Sequence, residues 1–91
     1  MTSPDLQQLR DRIAATDAEI LELVNRRLAL VEEIRAYKRA HGLAFVDPDQ
    51  EDRLLARLRA LNGGPLSPDG VERLFREVLE LVKSELSEPA A

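Results

Sequence analysis

Arg27 and Lys38 are the residues whose type and spacing most directly indicate chemistry in this sequence. They lie eleven positions apart. At about 100° per residue, this places them within about 20° of the same helix face and about 16 Å apart along the axis. Apolar residues recur every three or four positions around them, so both cations interrupt an apolar stripe. Two long basic side chains in this arrangement predict a site for a small anion.

The stripe leaves two interpretations of these cations open. Long basic side chains can keep their stems in a core and their charged ends in water. Arg27, however, falls near the middle of the longest predicted helix, where no free end offers water, and an unpaired buried charge costs several kcal/mol. An anion is therefore expected beside it, either a protein carboxylate or a ligand. By contrast, we expect a solvated face for three arginines that fall off the stripe: Arg26, Arg35 and Arg39.

Arg10 and Glu51 are further candidates for the same site. Arg10 lies seventeen positions before Arg27, which is about 25 Å along a helix and about 100° around it. It cannot share one small pocket with Arg27 in the same chain, but it could reach the pocket of a partner in an antiparallel dimer. Glu51 shares a helix face with leucines and faces inward. It could pair with Arg27 or Lys38, or it could contact a ligand.

Composition limits the functional classes. The formal charge of −4 argues against nucleic-acid binding, because such domains carry a net basic surface. The chain has no cysteine and one histidine, which leaves no disulfide, no thiol nucleophile and no zinc site to expect. No segment reaches the length of a membrane span, and the N-terminus has no apolar signal region. We expect a cytoplasmic protein with no metal, no organic cofactor and no membrane partner.

Three helices must position these residues, and we predict them at about 4–40, 48–61 and 68–86 of a single domain over 1–91. The fold class is therefore all-α, with one very long, one short and one medium helix. Gly42 and the segment 62–65 interrupt the helical pattern. Gln50 is placed for a capping box with Asp47. Each predicted helix begins with a capping residue followed by proline, and these pairs are Ser3 with Pro4, Asp47 with Pro48, and Ser67 with Pro68.

The length of the first helix predicts a second chain. About 36 helical residues span about 54 Å, whereas a compact domain of this size has a radius of gyration of about 12 Å. A bent three-helix bundle is one solution. We favour an intertwined homodimer in which the long helices pair through their stripe. The stripe consists of Leu6, Leu9, Ile13, Thr16, Ile20, Leu23, Arg27, Leu30, Ile34 and Tyr37.

The combined motifs resemble the all-helical chorismate mutase family. In that family an arginine opens helix one, a second arginine precedes a lysine by eleven residues, and an Asp-x-x-Arg-Glu segment opens helix two. The resemblance covers most of the chain and has no gaps through Glu51. It rests on LRDRI at 9–13, Asp17, NRRLALVEEIRAYK at 25–38 and FVDPDQE at 45–51.

The resemblance implies a role for each of the charged candidates. Arg10 is similar to the arginine that reaches across the dimer to a substrate carboxylate, and Arg27 to the arginine that binds a carboxylate within its own chain. Lys38 is similar to the lysine that hydrogen-bonds the ether oxygen and a carboxylate of chorismate. Asp47 and Glu51 resemble the pair near the ring hydroxyl, with Glu51 as its direct partner.

Three positions depart from the family pattern. Gln50 stands where arginine is usual, although an amide can still donate hydrogen bonds to substrate. Val82 stands where serine or threonine is common. Leu86 stands where glutamine or glutamate usually completes the contact with the ether oxygen, and leucine has no donor. Three alternatives follow: Lys38 alone contacts the ether oxygen, activity is low, or a neighbour replaces the missing donor. The candidate neighbours are Lys83, Ser84 and Glu85.

The implied reaction is the Claisen rearrangement of chorismate to prephenate, in the biosynthesis of phenylalanine and tyrosine. The resemblance also implies a homodimer, and it is compatible with a complex with another enzyme of the shikimate pathway. Two alternatives fit the same residues. One is an isochorismate-pyruvate lyase on the same scaffold, and the other is a non-catalytic helical dimerisation or regulatory module.

Overall fold

Three α-helices account for most of the computed structural model, which describes residues 3–45 and 47–86. They are α1 (Leu6–Ala40), α2 (Pro48–Leu61) and α3 (Pro68–Leu86). No strand occurs in these two ranges, so the predicted all-α class is confirmed. The bounds of α2 and α3 are those predicted, and both helices begin after the predicted capping residues. The predicted end of α1 at Ala40 also agrees with the structure.

The predicted start of α1 at Ser3 or Pro4 is wrong, because Asp5 caps this helix. The Asp5 carboxylate accepts a hydrogen bond from the backbone N–H of Gln8 at 2.8 Å, and the Gln8 side chain accepts one from the Asp5 N–H at 3.0 Å. This reciprocal pair satisfies two backbone donors. A cap at Ser3 would have Leu6 in the third helical position, and leucine cannot return the bond.

The connection between α1 and α2 is fixed at both ends. Gly42 has a φ of 66°, a left-handed conformation that favours glycine, and it follows the end of α1. At the other end, the Asp47 carboxylate accepts from the N–H groups of Asp49 and Gln50 at 3.1 and 3.3 Å. The Gln50 side chain accepts from Arg53 instead of closing the predicted capping box. Asp47 is therefore held at the start of α2.

Packing within the chain is centred on α3, which contacts both α1 and α2. The buried apolar side chains are Leu55, Val71 and Val82, at 2%, 4% and 8% exposure. Helix α1 contributes half-buried apolar residues on one side, namely Val24, Leu28 and Val31. This is a small core for 91 residues.

A second apolar face of α1 is uncovered in the single chain. Tyr37, the last residue of the stripe, is 59% exposed and stacks on His41. The molecule extends 60 × 28 × 20 Å with a radius of gyration of 17.3 Å, well above the value of about 12 Å for a compact domain of this length. No helix in the described part of the chain is long and apolar enough to cross a membrane. The exposed large residues of the stripe are Leu6, Leu9, Ile13, Ile20, Leu23, Leu30, Ile34 and Tyr37.

Two leucines of α2 provide a matched test of this core. Leu55 is 2% exposed and Leu61 is 67% exposed. Leu55→Ala should lower the free energy of unfolding by about 2 to 5 kcal/mol, because it leaves a cavity between α2 and α3. Leu61→Ala should change it by less than about 0.5 kcal/mol. Urea denaturation followed by circular dichroism measures both, and equal losses would contradict the packing described.

Candidate active site

A cavity of about 300 Å³ lies where the three helices and the connection 41–47 meet. Its volume is at the lower end of the range of about 300 to 1,000 Å³ found for small-molecule sites. Its wall combines apolar side chains with charged ones. The lining residues are Arg27, Val31, Ile34, Arg35, Lys38, Phe45, Asp47, Gln50, Glu51, Leu54, Leu79, Val82 and Lys83.

Six of the eight predicted site residues line this cavity: Arg27, Lys38, Asp47, Gln50, Glu51 and Val82. Two do not. Arg10 is exposed in the second turn of α1 and lies outside the cavity of its own chain. The Leu86 side chain does not line the cavity either, because α3 meets it one turn earlier, at Leu79, Val82 and Lys83.

The charges of the cavity are strongly biased. Four cationic side chains (Arg27, Arg35, Lys38 and Lys83) line it against two carboxylates (Asp47 and Glu51), which gives a net formal charge of +2. The whole chain carries −4. A local excess of cations in a cleft attracts anions even when the protein is acidic overall. The cavity is therefore suited to a small molecule with two negative charges.

Arg27 and Lys38 are not neutralised by carboxylates of the described chain. Among residues 3–45 and 47–86, no carboxylate lies within 4 Å of Arg27 or Lys38. Lys38 Nζ is 3.4 Å from the carbonyl oxygen of Phe45. The sequence left open whether a protein carboxylate or a ligand compensates these charges. Within the described chain, no carboxylate takes that place.

Arg35 was expected on a solvated face, and this prediction is wrong. It is half-buried, lines the cavity, and donates from Nη1 to the backbone carbonyl of Leu86 at the end of α3. Its guanidinium also lies 4.9 Å from the centroid of the Phe45 ring. The signal was present in the sequence: Val31 and Arg35 follow Arg27 at intervals of four, so a second row of residues branches from the stripe at Arg27.

Phe45 attaches the connection to α1. Its ring lies near the guanidinium groups of Arg35 and Arg39, at 4.9 and 5.5 Å from the centroid. Its carbonyl oxygen accepts from Lys38. These contacts hold the segment before Asp47 against α1, the helix that carries three of the four cations of the cavity.

Glu51 pairs with Lys83 rather than with Arg27 or Lys38. Lys83 Nζ lies 3.1 Å from Glu51 Oε1 and 3.7 Å from Glu80 Oε1. The hydrogen bond to Glu51 raises the pKa of Lys83 above its usual value, with smaller contributions from the charges of both carboxylates. Lys83 is therefore a cation throughout the neutral pH range.

A second group of ion pairs lies outside the cavity, one within α3 and one between α2 and α3. Arg76 Nη2 is 2.8 Å from Glu72 Oε1, and Arg59 Nη1 is 3.6 Å from Glu72 Oε2. The hydrogen bond from Arg76 lowers the pKa of Glu72. Both arginines are exposed and Glu72 is half-buried, so these ion pairs contribute little to stability.

The charged groups of the cavity are suited to electrostatic stabilisation of an anion. Among the described residues, its lining has no hydroxyl, thiol or imidazole group. In the described ranges, no three histidine or acidic residues lie close enough to hold a metal ion. The fold and cavity thus define a class: an all-helical domain with a net cationic pocket suited to a small anion.

Comparison with known proteins identifies the family within this class. Residues 9–85 match the family model of chorismate mutase type II, and the chain belongs to that family. This confirms the resemblance carried by the motifs. A solved structure from Thermus thermophilus, described as chorismate mutase (form II), superimposes with a TM-score of 0.85 and 32% identity, over 92% of this chain and 98% of that one.

Curated relatives carry this region within longer proteins. A bifunctional chorismate mutase/prephenate dehydratase from Neisseria gonorrhoeae is 41% identical over 70 residues, covering 77% of this chain and 19% of that protein. One of the same name from Stutzerimonas stutzeri is 34% identical over 79 residues, covering 81% of this chain and 22% of that protein. The chain thus spans about a fifth of the length of these relatives.

The contact from Arg35 to the end of α3 can be tested by hydrogen exchange. Arg35→Ala removes the side chain that binds the Leu86 carbonyl. The last turn of α3 should then exchange its amide hydrogens at least about tenfold faster, because it opens more often. Arg26→Ala is the matched control on the exposed side of α1. Similar exchange rates in both variants would show that Arg35 does not hold this turn.

Proposed function

We propose that this chain catalyses the rearrangement of chorismate to prephenate. Chorismate carries two carboxylates, and the observation that carries the proposal is the excess of four cations over two carboxylates in a cavity built by all three helices. Membership of the chorismate mutase type II family supports the same reaction. The lack of a hydroxyl, thiol or imidazole among the lining residues agrees with a reaction that proceeds without a covalent intermediate.

The reaction is intramolecular: the ether C–O bond breaks while a C–C bond forms within the same molecule. The protein must hold the chair-like conformer in which the reacting carbons meet, and it must stabilise the negative charge that develops on the ether oxygen. Arg27 binds a carboxylate and fixes the conformer. Lys38 donates to the ether oxygen and a carboxylate, so that its charge acts most strongly in the transition state.

The remaining lining residues orient the ring. Asp47 is fixed as the cap of α2, and Glu51 follows one turn later. We assign Glu51 to the ring hydroxyl of chorismate and Asp47 to a supporting position. Gln50 contributes an amide donor where the family pattern has arginine, and Val82 contributes apolar surface.

The active form in this proposal is a homodimer. Support comes from the uncovered apolar face of α1 and from the extended shape of the single chain. Pairing the long helices in antiparallel orientation would cover this face and carry Arg10 to the pocket of the other subunit, about 25 Å from its own Arg27. There it would bind the second carboxylate of chorismate.

The cytoplasm is the compartment we propose for this reaction. The relatives from Neisseria gonorrhoeae and Stutzerimonas stutzeri are named as bifunctional chorismate mutase/prephenate dehydratases. Those names favour a second enzyme of the shikimate pathway as a partner for this chain, one that consumes prephenate.

Turnover of chorismate by the purified chain tests the reaction. NMR should identify prephenate as the product, and pyruvate release would contradict the proposal. Arg27→Ala and Lys38→Ala should each lower kcat/KM by at least about 100-fold, because each removes a charge partner of the transition state. Arg26→Ala is the matched control, since Arg26 is exposed beside Arg27. It should retain activity, and all variants should keep the helical circular dichroism spectrum.

Subunit complementation tests the shared pocket. Arg10→Ala chains and Lys38→Ala chains should each be nearly inactive alone. Mixing them in equal amounts and allowing exchange should restore activity, because half of the chains then form heterodimers in which one of the two pockets is intact. Sedimentation should give the mass of a dimer before and after mixing. Dimers that have exchanged subunits but stay inactive would contradict a pocket that uses Arg10 of the partner subunit.

A further inference from the structure

Lys83 is the cation that α3 brings to the cavity, whereas the other three lie on α1. It therefore acts from a different wall. The remaining α3 residues in the lining, Leu79 and Val82, are apolar. Without Lys83, the α3 wall of the cavity would offer a bound anion no side-chain hydrogen-bond donor.

The pair with Glu51 does not exhaust this ammonium group. A lysine ammonium has three N–H donors. Glu51 lies 3.1 Å away and Glu80 3.7 Å away, so even if both accept, one donor is left for a ligand. The Lys83 side chain is 43% exposed, and such solvent-accessible ion pairs are weak. An anion in the cavity can therefore share Lys83 with Glu51 or replace Glu80.

Leu86, the last residue of α3, supplies no alternative donor to the cavity. Leu86 has an apolar side chain, and its carbonyl oxygen is already bound by Arg35. That contact also fixes the end of α3 against α1. The helix wall beside the cavity is thus held in place, and Lys83 lies on it within reach of Glu51.

We propose that Lys83 is a substrate-contacting residue, which donates a hydrogen bond from α3 to an anionic oxygen of the bound dianion while Glu51 holds the ammonium in the cavity. This inference rests on the proposed function, because it names a further catalytic residue of the same site. The raised pKa of Lys83 keeps it charged at neutral pH, as the role requires. No proton is transferred and no covalent bond forms to the lysine.

The experiment compares chorismate turnover by Lys83→Met, Lys83→Arg and Glu80→Gln with that of the unmodified chain. Lys83→Met keeps the length of the side chain and removes the charge, and it should lower kcat/KM by about 10- to 100-fold. Lys83→Arg should recover most of this loss. Glu80→Gln removes the carboxylate partner of Lys83 that does not line the cavity, and it should leave turnover within about twofold of the unmodified chain.

A double-mutant cycle separates substrate contact from a role in positioning Glu51. In the Glu51→Gln background, Lys83→Met should still lower kcat/KM, and it should weaken prephenate binding in calorimetry at least about fivefold. Loss of both effects in that background would overturn the proposal, because Lys83 would then act only through Glu51. Turnover by Lys83→Met equal to that of the unmodified chain would overturn it as well. Failure of the unmodified chain to convert chorismate would instead refute the proposed function.

Discussion

Charge compensation at the middle of α1 is the constraint on which the site depends. Arg27 lies half-buried within a 35-residue helix, far from either end. A cation in such a place needs an anion, since partial burial removes water that would otherwise solvate it. In the described ranges, the carboxylates of the cavity are engaged elsewhere, with Asp47 capping α2 and Glu51 bound to Lys83. The chain thus retains cations that a bound dianion can satisfy.

Helix α1 contributes residues to two different surfaces. One row of the helix, with Arg27, Val31 and Arg35, faces α3 and the cavity. The neighbouring row carries the exposed apolar residues of the stripe. In the dimer we propose, the second row would be buried and the far end of α1 would complete the pocket of the other subunit. Folding, assembly and catalysis would then depend on the same helix, and a small core within each chain would suffice.

Much of the fold and of the site could be predicted from the sequence because the signals were local. Caps followed by proline predicted the starts of α2 and α3, and the interval from Arg27 to Lys38 predicted the cationic face of α1. The start of α1 was missed because Ser3 and Asp5 are both good caps, and only the reciprocal bond with Gln8 separates them.

Tertiary contacts explain the remaining differences. Arg35 falls off the apolar stripe, yet α3 packs on that side of α1 and brings the end of α3 to it. Lys83 rather than Leu86 reaches the cavity because the position of the cavity along α3 depends on how α3 crosses α1 and α2. A helical pattern predicts which residues share a face of each helix, but it does not predict the position along the helix axes at which two helices contact each other.

A crystal structure with prephenate bound would show directly whether Arg27 and Lys38 bind a ligand. We expect the product to occupy the cavity, with its carboxylates bound by Arg27 and Lys38 of one chain and by Arg10 of the partner subunit. The opposite result would be a dimer in which carboxylates of the partner subunit neutralise Arg27 and Lys38 and prephenate lies elsewhere. The cations would then serve assembly, and a ligand-binding role for them would be wrong.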